Sequence, residues 1–168
     1  MSLTKSDRYK SGWYIVPTFA IELSNKDLPL LLRIQEYFGV GIIHSIKNKG
    51  HSGHFVYAVN SIKALHDFII PHFEKYALLT VKRKNFLLFK EVIELMYEKK
   101  HLKPSGLLRI TSIKSILNQM NSVPGNLEGV ELISIEEPSL EPVDVSDISP
   151  EWFTGFTDAE GCFLLIFV

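Results

Sequence analysis

The stretch WFTGFTDAEGCFLLIFV at residues 152–168 sets the problem. Ser149 and Pro150 ahead of it read as a helix start, a capping hydroxyl followed by a proline at the first helical position. The helix runs to about Asp158, and CFLLIFV reads as a strand. Gly155 costs such a helix about 1 kcal/mol relative to alanine, so it needs a reason. Gly155 and Ala159 are four apart and share a face, with Thr154 beside them. Small residues on one face let another backbone approach closely. No other segment offers an equally small face, so the expected partner is a second copy of the same helix. Two such helices bring their acidic ends, Asp158 and Glu160, together. Adjacent carboxylates repel unless a cation sits between them, and hard oxygen ligands with open positions suit Mg²⁺.

Upstream, residues 122–148 carry Pro124, Gly125, Gly129, Pro138 and Pro142, many acids and no base. This stretch reads as a linker with room for a short strand at 130–135. Before it lies the body. Residues 13–23, WYIVPTFAIEL, read as one strand with Trp13, Ile15, Phe19, Ile21 and Leu23 on the buried face. Asn25 or Asp27 caps a helix through about Phe38. The GVG at 39–41 reads as a helix stop and strand entry rather than a phosphate loop, because no helix follows it. Strands at about 41–48 and 54–60 are joined by the turn NKGHSG. His51 and His54 in that region lack the cysteine or acid that would complete a zinc set. Ser61 caps a short helix to about Ile70, expected to break at Pro71. Thr80 opens a strong helix with Val81, Phe86, Leu87, Phe89, Val92, Ile93 and Met96 as apolar positions. A further helix spans about Pro104 to Met120.

The net charge of −1 conceals an asymmetry. All 18 Lys and Arg lie between Lys5 and Lys114 among nine acids, a net +9, whereas residues 127–168 hold ten acids and no base. A basic body fits a polyanion partner, or simply a solvated surface. The apolar runs LPLLL, FLLF and CFLLIFV are far short of a membrane span, so no membrane partner is expected. MSLTKSDRYKSGW at the start has no apolar core and is not a secretion signal. Cys162 is the only cysteine, which excludes an intrachain disulfide and fits a reducing compartment or an organelle matrix. A basic body, paired carboxylates and Mg²⁺ together point to phosphodiester cleavage.

FTGFTDAEG at 153–161 resembles the nine-residue motif of the LAGLIDADG homing endonucleases. NKDLPLLLRIQEYFGVG, IIPHFEKYALLTVKRKNFLLFKEVIELM and KKHLKPSGLLRITSIKSILNQMN resemble the intron-encoded branch found mostly in fungal mitochondria. The resemblance implies an α+β fold, an antiparallel four-stranded sheet packed against helices, with one half-domain per chain. It implies a basic body over 1–121, the acidic linker over 122–148, and the motif helix and strand over 149–168. It implies that Glu160 binds the metal, Mg²⁺ with Ca²⁺ or Mn²⁺ as substitutes. Asp158 matches an acid that helps end the helix. Lys82, with Lys84 as fallback, matches a lysine that orients water or steadies phosphate charge. By base rate alone such a lysine is a solvated helix residue.

The sheet of this family lies along the major groove of double-stranded DNA. Alternation then selects Tyr14, Val16, Thr18, Ala20 and Glu22, then Ile42, His44, Ile46 and Asn48, then His54, Val56, Ala58 and Asn60 as the groove face. Tyr14, Thr18, Glu22, His44, Asn48, His54 and Asn60 are its polar readers, and Lys47 and Lys49, with Arg8 or Lys10, meet phosphates. The order of elements departs from the family. The chain is expected to begin at the second strand and to supply the first strand last, through CFLLIFV. Circular permutation, a middle piece of a two-motif protein, and a helix swapped into a neighbour all account for this order. One chain supplies one Glu160, so cleavage is expected to need a second motif helix, most simply from a homodimer in the mitochondrial matrix. The alternative is a non-cleaving module of the same fold, an RNA maturase or an inactive DNA binder.

Overall fold

The computed structural model describes residues 2–5, 13–46, 53–120, 132–136, 138, 149, 150, 152, 154 and 155. Within them the fold is the expected mixture of helices and antiparallel strands. Strands β1 (Ser2–Lys5) and β2 (Trp13–Val16) form a ladder with Leu3 opposite Ile15. Strands β3 (Phe19–Ser24), β4 (Ile42–Ile46) and β5 (His54–Val59) form a second sheet in the order β3-β5-β4.

Two expectations are corrected here. The single strand over 13–23 is two strands, parted at Pro17 and Thr18, because proline has no N–H to give to a ladder. The alternation survives the break, with Trp13, Ile15, Phe19, Ile21 and Leu23 turned inward and Tyr14, Ala20 and Glu22 exposed. The chain also does not begin at the second strand. Ser2–Lys5 already pairs with Trp13–Val16, the segment that CFLLIFV was expected to complete. No apolar run announced that strand. Its backbone partners, rather than its side chains, define it.

Helix α1 (Leu28–Phe38) follows a 3-10 turn over Asn25–Asp27, whose start is capped by Ser24. It ends at Gly39 in the left-handed conformation, φ 65°. Gly41 follows at φ 88° and leads into β4. GVG is thus a helix stop and strand entry. Gln35 Nε2 donates to the Gly41 carbonyl at 2.9 Å, and Tyr57 Oη donates to the Val40 carbonyl at 2.9 Å.

Ser61 caps the next helix, accepting from the Ala64 N–H at 3.4 Å. That helix does not break at Pro71. It runs as α2 (Ile62–Ala64), a π-type stretch over Leu65–Ile69, and α3 (Ile70–Lys75). The wider π turn immediately before Pro71 absorbs the missing donor and the bulk of the ring, so the chain stays helical. Helices α4 (Lys82–Tyr97) and α5 (Pro104–Met120) complete the body. Leu88 on α4 is buried, whereas Val81, just ahead of the helix, is 71% exposed, the reverse of the apolar positions expected there.

Two cores share α4 as a wall. Leu31, Tyr57, Val59, Leu65, Ile69, Ile70 and Ile93 fill the first, beneath the inner sheet face. Ile15, Leu88, Val92, Met96, Ile110 and Ile113 fill the second, between β2, α4 and α5. Residues 132–136 are not a strand. They lie along α5, where the Ile133 N–H donates to Ser112 Oγ at 2.9 Å and Ile135 packs on the second core.

Candidate nucleic-acid interface

The registers of β3, β5 and β4 arrange one face of the sheet in rows. Ala20 stands opposite Ala58, and Ala58 opposite Ile42. The next row is Glu22, Val56 and His44, and the third is Ser24, His54 and Ile46. All helices of the first core pack on the opposite face, through Phe19, Ile21, Leu23, Ile43 and Phe55. Ala20, Glu22, Ile42 and His44 are exposed, Ile42 to 60%. Val56 is the exception at 7%, screened at the middle of the central strand by its cross-strand neighbours. His54 Nδ1 lies 3.6 Å from Glu22 Oε1, an ion pair whenever the imidazole is protonated.

Of the residues singled out from the sequence, Glu22, His44 and His54 therefore share this face. Tyr14 is exposed on β2, Thr18 sits half-buried at the strand break, and Asn60 is exposed just past β5. Lys47, Asn48, Lys49 and His51 lie outside the described residues, as do Asp158, Ala159 and Glu160. Ser24 completes the third row and was not among the candidates, because its strand extends one residue beyond the alternating pattern. Its hydroxyl accepts from the Lys26 N–H at 3.4 Å and so serves the turn.

Lys82 is exposed at the first position of α4, and its N–H donates to Thr80 Oγ1 at 3.3 Å. The first turn of α4 holds Lys82, Arg83 and Lys84 and no acid. The positive end of the helix dipole adds to those side chains, so this end of the helix attracts anions. Further along α4 the charges are internally matched. Lys90 pairs with Glu74 and with Glu94, and its ammonium pKa is raised, chiefly by the hydrogen bond it donates to the Glu74 carboxylate. Arg109 Nε and a terminal guanidinium nitrogen bind the two carboxylate oxygens of Glu91 at 2.6 and 3.0 Å.

Among the described residues, no three His, Cys, Asp or Glu side chains are grouped so as to hold a metal ion. No helix among them is long and apolar enough to cross a membrane. Ser149 Oγ accepts from the Trp152 N–H at 3.2 Å, the expected cap, and Thr154 Oγ1 donates to the Pro150 carbonyl at 2.8 Å. Among the described residues, a Cβ placed on Gly155 would meet nothing within 4 Å.

The profile of the LAGLIDADG endonuclease family matches residues 1–93. "Probable intron-encoded endonuclease 2" of Neurospora crassa is 33% identical over 98% of this chain and 38% of its own length. "Probable intron-encoded endonuclease 3" of the same fungus is 37% identical over 94% of this chain and 29% of its own length. Among solved structures, I-SmaMI bound to an uncleaved DNA target in the presence of calcium ions aligns with a TM-score of 0.79 and 34% identity. I-CpaMI bound to uncleaved DNA aligns at 0.72 and 35%. Both alignments cover 93% of this chain and 51% of the other. The chain thus spans about half the length of these structures and less than two fifths of the two curated relatives. With its open antiparallel sheet and helical core, the chain belongs to the LAGLIDADG endonuclease family.

Proposed function

We propose that this chain is one subunit, or one half, of a Mg²⁺-dependent, sequence-specific double-stranded DNA endonuclease of the homing type. The observation that carries the reading is the solvent-open face of β3-β5-β4, with the helices of the first core packed on the other side. An open antiparallel face of this width suits the major groove, which is about 12 Å wide. The relatives I-SmaMI and I-CpaMI were both solved on DNA, which supports duplex DNA as the partner. Lys47 and Lys49, next to β4, would meet phosphates. Residues 1–121 form the DNA-binding body, 122–148 the connection, and 149–168 the motif helix and strand.

Glu160 would ligate Mg²⁺ through hard carboxylate oxygens, with Ca²⁺ or Mn²⁺ able to substitute. The bound ion would neutralise phosphate charge and supply an activated water. Lys82, in the acid-free first turn of α4, would steady negative charge on the phosphate. Thr154, Gly155 and Ala159 would pack against a second motif helix. Among the described residues nothing lies within 4 Å of a Cβ on Gly155, which is compatible with close approach of a second helix there. The simplest such partner is a second copy, giving a homodimer on a near-palindromic site. The mitochondrial matrix is the proposed location, in keeping with the intron-encoded fungal relatives.

The test combines light scattering with a cleavage assay on a selected duplex. Mg²⁺-dependent cutting by the dimer, lost in Glu160→Gln with binding retained, is the expected result. Cutting by a strict monomer would overturn the two-helix requirement. Binding without cutting in the unaltered chain would favour a non-cleaving module, a reading to which the apolar content of the sheet face lends some support.

A further inference from the structure

The rows of the sheet face differ in what they can read. Antiparallel strands advance about 3.4 Å per residue, so successive rows on one face stand about 6.8 Å apart. Base pairs rise about 3.4 Å. Adjacent rows therefore address positions about two base pairs apart. The row Ala20, Ala58 and Ile42 holds no polar side chain, and its available contact is with a thymine methyl. The next row places Glu22 at one margin and His44 at the other, both exposed, with Val56 screened between them.

A carboxylate on a surface that meets DNA is anomalous, since phosphates repel it. Ionised, it only accepts hydrogen bonds. In the major groove, the donors it can meet are the amino groups of cytosine N4 and adenine N6. Adenine presents its N7 acceptor beside N6, which repels an acceptor-only group. Cytosine offers N4–H₂ with no acceptor beside it. His54, 3.6 Å away, supplies a local positive charge when protonated and so offsets part of the phosphate repulsion.

We propose that Glu22 is a specificity-determining residue of this chain, reading the N4 amino group of cytosine at one fixed position of each half-site. This rests on the groove-binding reading given above and assigns a base to a residue within it. The apolar row two base pairs away makes no polar readout and favours thymine.

The test is selection of the full-length chain on a randomised duplex library in calcium, the ion in which I-SmaMI holds an uncleaved target. The Glu22→Gln variant is selected in parallel. Glu22 is exposed and glutamine is nearly isosteric, so the fold is retained. The unaltered chain should enrich a sequence with a fixed C·G pair. Glu22→Gln should lose about tenfold of that preference and shift it toward adenine, which glutamine recognises through N6 and N7, with other positions unchanged. Enrichment of a sequence that Glu22→Gln leaves unaltered, or alters at every position, overturns the assignment of Glu22 alone. No enrichment by the unaltered chain overturns both this assignment and the groove-binding reading.

Discussion

The ring of Tyr57 closes the space over Gly41: a Cβ at Gly41 would stand 2.6 Å from Tyr57 Cε2, 2.8 Å from Val59 Cγ2 and 2.9 Å from the Ala58 carbonyl. A positive φ compounds the conflict. The contact fastens the end of α1 and the start of β4 to the central strand, and so fixes the spacing of the exposed sheet face. Gly41→Ala should cost about 2–4 kcal/mol, through overpacking plus backbone strain, measured by urea denaturation. Gly39→Ala meets no atom within 4 Å and should cost less, about 1 kcal/mol, from its left-handed backbone alone. Equal costs at the two sites would contradict this account.

Stability should fall on mild acidification, through His72. Burial lowers its pKa below the ordinary 6.5, and Tyr37 Oη lies 3.3 Å from its Nδ1. The folded state then binds fewer protons than the unfolded state, so stability rises with pH through this window. The contribution is full above about pH 6.5. It is lost as the pH drops through the unfolded value toward the lowered folded one. His72→Gln should flatten the dependence of the melting temperature on pH between 5 and 7. An unchanged slope would remove His72 from the account.

Ser112 is 2% exposed, and its hydroxyl receives the Ile133 amide. Ser112→Ala should destabilise by about 1–2 kcal/mol, leaving that N–H without its acceptor. Hydrogen exchange at Ile133 should accelerate more than exchange in β5. Protection at Ile133 that survives the substitution would show that the segment is held by other contacts.

The Arg109–Glu91 pair is bidentate, but each side chain keeps about a third of its surface exposed, 34% and 33%. A double-mutant cycle of Arg109→Met and Glu91→Gln should return a coupling of about 0.5–1 kcal/mol, reduced in high salt. A coupling above about 2 kcal/mol would mean that the pair is far better shielded than its exposure indicates.

Lys82→Ala should lower the single-turnover cleavage rate by about a hundredfold while changing duplex affinity much less, because one phosphate contact among many sets little of the binding. Equal losses in rate and affinity would make Lys82 an ordinary phosphate contact.

Much of the body was legible in the sequence because its signals are local. Alternation over 13–23 separated the half-buried Ile21 from the exposed Glu22, and Gly39 marked the end of α1. What escaped was set by tertiary pairing. Ser2–Lys5 carries no apolar alternation, and only its ladder to Trp13–Val16 makes it a strand. Pro71 looked like a helix terminus because the compensating π turn upstream has no residue signature. Val81 and Leu88 exchanged roles because α4 begins one residue later than Thr80 indicated and meets two cores at once. The residues of the exposed sheet face followed from alternation, but the approach of Glu22 to His54 required the register of β3 on β5. Glu160, Lys47 and Lys49 fall outside the described residues, so their roles rest on the resemblance.

The docking of 132–136 on α5 bears on how a second motif helix is found. Twenty-seven residues of connection, fully extended, would reach roughly 90 Å. With Ile135 packed on the second core and Pro138 close behind it, only the eleven steps from Pro138 to Ser149 remain, at most about 40 Å. A short leash raises the effective concentration of the closing helix near its own body and narrows the volume it can search. On the proposed reading, the closing helix would be presented from a defined anchor on α5, and the same anchor would limit how far apart two bodies could stand on DNA while their helices meet.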